Sequence, residues 1–301
     1  MRLGAIDIGS NAVRLLVADV GYKDENTNEL YIKKIKLYRV PVRLGMEAFT
    51  EKRISEALLA KLIKTMQAFR LIMDVYEVED YRCCATSALR EAQNGDKVMA
   101  AVKKKSSIEI RLIDGQEEAK LILSNKLSHL LDRRFAHLYV DVGGGSTEIS
   151  LLKGDALGLS KSFKIGTIRL FKQKVKAEKW MALQKWLEQK IQPQMPLAII
   201  GSGGNINRVF KRSNNRYGHP LQYDYLVQER ELLNKLSLED RIMLQDLNKD
   251  RAEVIVPALD IFLFIMKQTG IKQVIVPKIG LADGVVRQLF QEKMEKQLNY
   301  N

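Results

Sequence analysis

Short apolar runs alternate along the chain with segments of helical periodicity. The apolar runs end in glycine or polar turns and predict strands, among them 3–8, 12–20, 137–142, 148–153, 156–165 and 197–200. Apolar side chains three and four positions apart predict a helix over 51–76 with Thr50 as its N-cap, and a second helix over 116–131. Ser237 and Asp240 fit a capping box at the start of a later helix. Alternating strands and helices predict an α/β fold.

The order of elements in the first half of the chain recurs in the second half. The chain has 301 residues, which is long for one hydrophobic core and suits two domains. A polar stretch at 131–134 precedes the second set of strands. We therefore expect one domain over 1–132 and another over 133–284.

The net charge of +13 indicates a polyanionic partner or a basic surface without a specific role. The basic residues are spread over Lys33–Arg43, Lys103–Lys105 and Lys161–Lys179 rather than gathered in one tail. Nucleic acid, acidic lipid and phosphate polymers are all possible polyanionic partners. Any one basic cluster is explained equally well as a solvent-exposed face that keeps the protein in solution. No RNA- or DNA-binding module is recognisable in the sequence, so nucleic acid is not the expected partner.

The ends and apolar stretches of the sequence predict a cytoplasmic protein without a membrane partner. No signal-peptide pattern precedes the first strand. The long apolar stretch Val254–Met266 is interrupted by Pro257 and Asp260 and is too short for a membrane span. Cys83 and Cys84 are adjacent on a predicted strand and point to opposite faces, which favours core thiols over a disulfide.

An Asp-x-Gly phrase follows a predicted strand twice. The first copy is Asp7-Ile-Gly9-Ser10-Asn11, and the second is Asp141-Val-Gly143-Gly144-Gly145-Ser146-Thr-Glu148. A strand that ends in this way and turns back presents a carboxylate and backbone N–H groups at one edge. Such N–H groups bind phosphate oxygens, and a carboxylate beside them can hold a neutralising cation. Two copies predict two related halves facing each other across a phosphate-binding cleft.

A third glycine loop, 201–204, follows a predicted strand and leads into a helix, whose positive dipole end would favour phosphate. The sequence contains no Walker loop and no complete dinucleotide fingerprint, and its three histidines lack zinc-ligand spacing. Glu148 is unusual for a strand position, and a chemical role is as well supported as a packing role. Glu117 and Glu118 occupy the first turn of a helix, where the macrodipole alone favours them.

Six motifs occur in the order found in the exopolyphosphatase / guanosine pentaphosphate phosphohydrolase (Ppx/GppA) family. They are the two Asp-x-Gly phrases, Ala85-Thr-Ser-Ala-Leu-Arg90, Gly115-Gln-Glu-Glu118-Ala-Lys120, Gly201-Ser202-Gly203-Gly204 and Gly280-Leu-Ala-Asp283-Gly284. Over essentially its whole length, the chain resembles the short form of this family, which lacks a C-terminal HD-type domain. The resemblance implies an actin-like ATPase fold, with two ribonuclease-H-like domains flanking the cleft and a last helix at 285–301 packing back on the first domain.

The same resemblance implies roles for individual residues. Glu118 would be the general base that activates water, and Glu148 would be the second essential acid. Asp7, Asp141 and Glu148 would hold a divalent cation, expected to be Mg²⁺. The phosphate-binding residues would be Ser10, Asn11, Arg90, Gly143, Gly144, Gly145, Ser146, Gly201, Ser202, Gly203 and Gly204.

The expected activity is hydrolysis of the terminal phosphoanhydride of inorganic polyphosphate with release of orthophosphate. Two alternatives stay open, namely removal of the 5′ terminal phosphate of guanosine pentaphosphate (pppGpp) and a nucleotide sensor with little catalysis. The relatives also imply a homodimer. Ala12 and Lys120 depart from the common family pattern, which leaves the substrate preference undecided.

Overall fold

The computed structural model describes residues 1–24, 27–124, 132, 134–154 and 156–300. The chain divides into two compact units, Met1–Asn125 with Gly280–Asn301 (unit 1) and Lys126–Ile279 (unit 2). The predicted domain boundary at 131–134 and the end of the helix predicted over 116–131 lie, wholly or in part, outside the described residues.

The strands lie in one sheet per unit. They are β1 (Arg2–Ile8), β2 (Val13–Asp24), β3 (Thr27–Val40), β4 (Asp80–Ala85), β5 (Ile110–Leu112), β6 (Ala136–Val142), β7 (Thr147–Lys153), β8 (Ala156–Phe163), β9 (Ile199–Ser202), β10 (Leu221–Gln222) and β11 (Gln273–Ile275). Strands β1, β6 and β7 are buried almost throughout, which agrees with their continuous apolar runs.

The helices connect these strands and cover the sheets. They are α1 (Gly45–Ala48), α2 (Glu56–Val75), α3 (Ser87–Glu91), α4 (Gly95–Ser106), α5 (Gly115–Leu123), α6 (Thr167–Phe171), α7 (Ala177–Trp186), α8 (Gly204–Arg212), α9 (Tyr223–Lys235), α10 (Leu238–Met243), α11 (Lys249–Ala252), α12 (Ile255–Thr269) and α13 (Leu281–Tyr300). A π turn at Leu187–Ile191 and a 3-10 turn at Gln192–Gln194 follow α7.

Both sheets have the same strand arrangement. The order is β3-β2-β1-β4-β5 in unit 1, and β8-β7-β6-β9-β11-β10 in unit 2. In each sheet the first three strands along the chain form an antiparallel meander, and two further strands run parallel to the first one, namely β4 and β5 in unit 1 and β9 and β11 in unit 2. Unit 2 adds the short antiparallel strand β10 at its edge. This topology is that of a ribonuclease-H-like domain, so the predicted α/β fold with two such domains is confirmed.

The start of α2 differs from the sequence-based prediction. Ser55, not Thr50, is the N-cap, because the Ser55 Oγ accepts a hydrogen bond from the Leu58 N–H at 3.2 Å. Thr50 instead donates from Oγ1 to the Met46 carbonyl at 2.6 Å. Lys52 has a φ of 59°, a left-handed conformation that no helix can contain, so the helix cannot begin at residue 51.

The predicted N-cap Ser237 at the start of α10 is confirmed. The Ser237 Oγ accepts a hydrogen bond from the Asp240 N–H at 3.0 Å. The prediction for the two cysteines is confirmed as well, since Cys83 and Cys84 are buried free thiols in β4. Burial raises the pKa of Cys84 to about 11 and that of Cys83 well above its ordinary value. Both thiols therefore stay protonated at neutral pH.

The apolar stretch Val254–Met266 lies largely in α12, whose side chains pack into the core of unit 2. Over the ranges that the structure describes, no helix has the length and apolarity needed to cross a membrane.

Helix α13 joins the end of the chain to the sheet of unit 1. Polar and aromatic pairs anchor it at several points, namely Lys34–Asp283 (2.5 Å), Arg82–Glu292 (2.5 Å), Lys293–Asp80 (3.2 Å) and the edge-on ring pair Tyr22–Phe290 (5.3 Å between centroids). These contacts reach β2, β3 and β4, so α13 is held to strands on both sides of β1.

Candidate functional site

The parallel strands of unit 2 bring several predicted site residues to one edge of the sheet. Asp141 at the end of β6 is in register with Ser202 at the end of β9. Gly203 follows with a φ of 111°, and a Cβ there would lie 2.8 Å from the Val142 carbonyl oxygen and 3.3 Å from the Asp141 carboxylate. Only glycine fits so close to the β6 backbone in this conformation. The carboxyl ends of parallel strands are where α/β proteins commonly bind ligands.

Asp141 and Glu148 form a buried pair of acids in unit 2. They lie directly opposite each other on β6 and β7, and their exposed fractions are 9% and 4%. The Glu148 Oε1 accepts hydrogen bonds from the Ser146 Oγ at 2.6 Å and the Ser162 Oγ at 2.9 Å. Opposed carboxylates repel each other across a strand pair, and a bound cation would relieve that repulsion.

The loop between these two acids is built to expose backbone N–H groups. The Gly143 N–H donates to the Ser146 carbonyl at 3.0 Å and closes the turn. The carbonyls of Gly143 and Gly144 accept N–H groups of the segment 166–169, which ties them to the protein side. In the described part of the chain, the N–H groups of Gly144, Gly145 and Ser146 donate to no backbone carbonyl. This arrangement resembles the N–H concavities that bind phosphate oxygens.

Two residues behind this loop were not identified from the sequence. A Cβ at Gly166 would lie 2.4 Å from the Gly144 carbonyl oxygen, so a larger residue would displace the loop. Arg169 is 6% exposed, and its Nε donates to the Gly145 carbonyl at 2.6 Å. The one sequence feature that could have pointed to Arg169 is its position inside the apolar run that follows β8. Its partner is a backbone group 24 positions away, which no local pattern reveals.

The third glycine loop combines packing with the site edge. A Cβ at Gly201 would lie 2.7 Å from the Val274 Cγ1, so this glycine is required by the contact between β9 and β11. Helix α8 begins at Gly204, directly after Gly203. Ser202 and Gly203 are the members of this loop that stand beside Asp141, while phosphate binding by Gly201 and Gly204 stays a prediction.

In unit 1 the ends of β1 and β4 bring two hydroxyl groups together. The Ser10 Oγ and the Ser87 Oγ lie 3.0 Å apart, and both residues are buried. The carbonyls of Ser10 and Asn11 accept the N–H groups of Gly45 and Arg43 at 2.8 and 3.1 Å. The loop is therefore fixed from behind by backbone contacts, as the loop of unit 2 is.

Asp7 has a different partner from Asp141. Arg14 lies opposite Asp7 on β2, and its Nη1 is 2.6 Å from the Asp7 Oδ2. A divalent cation would compete with this guanidinium for the same carboxylate, which weighs against the predicted metal role of Asp7. Within the described ranges, no group of three or more His, Cys, Asp or Glu side chains is placed to hold a metal ion. Two carboxylates with water and phosphate oxygens still suit Mg²⁺, which usually keeps several waters.

Glu118 lies in the first turn of α5 and is half-buried. The Asp114 carboxylate caps this helix by accepting the N–H groups of Gln116 and Glu117 at 2.9 and 2.8 Å. The neighbouring Glu117 forms an ion pair with Arg111. Because β4 and β5 run parallel to β1, the residues that follow them lie at the same sheet edge as Ser10 and Asn11.

Arg90 in α3 is exposed and belongs to this edge of unit 1. Its Nη1 donates to the Ile113 carbonyl at 2.5 Å, just before the N-cap of α5. The structure thus brings the predicted residues together as two sets. Unit 1 holds Ser10, Asn11, Arg90 and Glu118, and unit 2 holds Asp141, Glu148 and the glycine loops.

Solved structures of known proteins share this fold. An exopolyphosphatase from Cytophaga hutchinsonii superposes with a TM-score of 0.82 at 22% identity, covering 97% of this chain and 98% of that one. A Ppx/GppA family member from Aquifex aeolicus gives a TM-score of 0.73 at 25% identity over 97% and 98% of the two chains.

Curated relatives match over different lengths. A bifunctional 3-dehydroquinate synthase/phosphatase from Fusobacterium nucleatum is 35% identical over 172 residues, which are 55% of this chain and only 25% of that protein. Exopolyphosphatase 1 of Mycobacterium bovis is 24% identical over 312 residues, or 95% of this chain and 87% of the relative. The model of the Ppx/GppA phosphatase family matches residues 24–293. The chain belongs to the Ppx/GppA phosphatase family.

Proposed function

We propose that this protein is an exopolyphosphatase, which hydrolyses the terminal phosphoanhydride of inorganic polyphosphate and releases orthophosphate. The observation that carries the proposal is the buried pair Asp141 and Glu148 beside a glycine loop whose Gly144, Gly145 and Ser146 N–H groups donate to no backbone carbonyl in the described chain. Relatives named as exopolyphosphatases that match most of this chain support the substrate class. The net charge of +13 also suits a long polyanion.

The loop of unit 2 would bind the phosphoryl oxygens. N–H groups of Gly144, Gly145 and Ser146 donate to them, and the fixed carbonyls behind the loop keep these donors in place. Asp141 and Glu148 would hold a divalent cation, proposed to be Mg²⁺, which when bound neutralises charge on the phosphate oxygens. Within unit 1, Arg90 and the hydroxyl of Ser10 would bind phosphate.

Glu118 would act as the general base. Its carboxylate takes a proton from the attacking water, whose oxygen forms a new bond to the terminal phosphorus. The bond from that phosphorus to the bridging oxygen breaks, and the shortened polyphosphate chain leaves with the electron pair. The products are orthophosphate and a chain one phosphate shorter.

The variant Glu118→Gln tests this assignment. General-base help contributes roughly 100- to 10,000-fold, so phosphate release should fall by about that factor while the fold is kept. Glu117→Gln is the matched control, because Glu117 is the adjacent acid and is paired with Arg111. Near-normal phosphate release by folded Glu118→Gln protein contradicts the assignment.

The substrate is tested by phosphate release from polyphosphate, pppGpp and ATP in parallel. A polymer that contacts many cationic side chains should bind more weakly as salt rises, so the KM for polyphosphate should increase between low and physiological salt. A KM for polyphosphate that does not change with salt contradicts the proposal that the substrate is a polymer bound by many cationic side chains. Release from pppGpp alone would favour the alternative substrate, and no release from any of the three would favour a sensor.

A further inference from the structure

The first turn of α13 touches the backbone of α5 directly. A Cβ placed on Gly284 would lie 1.8 Å from the carbonyl oxygen of Leu121 and 2.3 Å from its carbonyl carbon. Real Cβ atoms do not approach other atoms this closely, and a backbone carbonyl cannot turn aside as a flexible side chain can. Any residue larger than glycine at position 284 must therefore push the two helices apart.

Of the two helices, α13 is the better anchored. The Asp283 Oδ2 accepts the Gly280 N–H at 2.9 Å, and its Oδ1 pairs with the Lys34 Nζ at 2.5 Å. Farther along, α13 is tied to β4 by the pair Arg82–Glu292. An added methyl group at Gly284 should consequently move α5 rather than α13.

Helix α5 has nine residues, and an isolated helix of this length is marginal in water. Its position depends on its cap at Asp114 and on the packing of its buried residues, among them Leu121. Glu118 lies three positions before Leu121, so the two residues are neighbours on one side of the helix. A shift of the Leu121 backbone is therefore passed on to Glu118.

We propose that Gly284, supported by the ion pair between Lys34 and Asp283, is a positioning residue for the general base Glu118. The proposal rests on the function proposed for Glu118 above. Gly284 lies 166 positions after Glu118 in the sequence. Because it has no side chain, α5 can pack directly against α13, and this packing sets the position of Glu118.

The variant Gly284→Ala tests the proposal. Misplacing a catalytic group by about 1 Å costs on the order of 100-fold in rate, so kcat should fall by about that factor while KM for polyphosphate stays unchanged. Amide hydrogen exchange across α5 should become faster. Gly21→Ala is the matched control, because a Cβ at Gly21 meets nothing within 4 Å, and its kcat and α5 exchange should equal those of the wild type.

A milder second variant covers the case in which Gly284→Ala fails to fold. Lys34→Gln removes the ion pair to Asp283 and should lower kcat by about 10-fold, again without a change in KM. Lys34→Arg keeps the positive charge and should restore kcat. A purely structural role for the ion pair would lower the melting temperature and leave kcat per folded molecule unchanged.

The outcomes separate the two proposals. Wild-type kcat in folded Gly284→Ala and Lys34→Gln overturns the positioning role, whether or not α5 exchange changes. A lower kcat with faster α5 exchange supports it, provided that Glu118→Gln is inactive. If Glu118→Gln is as active as the wild type, the function proposed for Glu118 has failed, and unchanged α5 exchange in Gly284→Ala would overturn the packing argument separately.

Discussion

The hairpin β1–β2 of unit 1 and the hairpin β6–β7 of unit 2 follow one backbone plan with different chemistry. Each turn is closed in the same way, by the Gly9 N–H on the Ala12 carbonyl at 3.1 Å and by the Gly143 N–H on the Ser146 carbonyl at 3.0 Å. In each hairpin, the residue that lies opposite the aspartate comes seven positions after it in the sequence. That residue is Arg14 in unit 1 and Glu148 in unit 2.

The two loops are also supported in the same way. Backbone N–H groups before and at the start of the short helix α1 donate to the loop carbonyls of unit 1, and those at the start of α6 donate to the loop of unit 2. Unit 2 adds the buried side chain of Arg169, which holds the Gly145 carbonyl. The loop with the triple glycine is thus held by both backbone donors and a buried side-chain donor.

The two hairpins differ in the charge of the residue at this one register position. In unit 1 a guanidinium already neutralises Asp7, so this hairpin is suited to binding phosphate without a metal. In unit 2 two carboxylates stand opposite each other, which is a donor set for a hard cation. The same backbone therefore carries an ion pair in one unit and an acid pair in the other.

The largest expected effect comes from removing the charge of the residue that lies opposite the aspartate in each hairpin. Glu148→Gln should lower phosphate release on the order of 1000-fold, because it removes one of two carboxylates from a buried electrostatic site. Arg14→Gln, the matched change in unit 1, should lower phosphate release by only about 10-fold, since it removes the partner of Asp7 and leaves the acid pair and loop of unit 2 intact. Equal losses in the two variants would contradict the division of labour between the hairpins.

A smaller effect is expected from removing the side chain that supports the loop of unit 2. Arg169→Met leaves the buried Gly145 carbonyl without its side-chain donor, and the free energy of unfolding should fall by about 1–3 kcal/mol. The value of kcat/KM for polyphosphate should fall by about 10-fold, because the N–H groups of the loop lose their fixed orientation.

Arg241→Met is the control for that variant. Arg241 also donates to backbone carbonyls of unit 2, from Nε to Leu233 at 2.6 Å and from Nη1 to Ala252 at 3.1 Å, and both acceptors lie outside the glycine loop. Its loss should lower stability without changing kcat/KM. Urea unfolding and steady-state kinetics measure the two quantities, and a similar kinetic loss in both variants would show that Arg169 acts through stability alone.

The smallest effect concerns pH. His137 in β6 stands where unit 1 has Leu3, and both side chains are buried. Burial lowers the pKa of His137 below its ordinary value, although a backbone hydrogen bond with Phe135 and the charge of Asp132 oppose this. The unfolded chain then binds more protons than the folded one, so stability is complete above about pH 6.5 and decreases as the pH falls below it.

His137→Leu copies unit 1 at this position. Its melting temperature should depend less on pH than that of the wild type between pH 5 and 7. Parallel melting curves over this range, with the same pH dependence in both proteins, would show that His137 does not contribute.

Structural features that depend on residues close together in the sequence could be predicted from the sequence alone. The two Asp-x-Gly hairpins follow from apolar runs that end in glycine, and the N-cap of α10 follows from Ser237 and Asp240. The start of α2 was wrong, because the left-handed turn at Lys52 has no signature in a run of polar residues.

Contacts between distant residues could not be predicted in this way. Glu148 was recognised as unusual for a strand. The role of Arg14 as the partner of Asp7 follows only from the strand register, which places the two residues opposite each other. The fit of Gly166 under the glycine loop and of Gly284 against Leu121 depends on packing between segments far apart in sequence. Such packing decides where the loop donors and Glu118 lie, although it leaves no pattern of its own.

Titration of Mn²⁺, as a stand-in for Mg²⁺, into the wild type, Glu148→Gln and Asp7→Asn tests most directly whether the acid pair of unit 2 holds the cation. Circular dichroism of the three proteins checks that they are folded. The account predicts that Asp7→Asn binds Mn²⁺ as the wild type does and that Glu148→Gln binds it at least about 10-fold more weakly. Wild-type affinity in Glu148→Gln together with lost affinity in Asp7→Asn would contradict it.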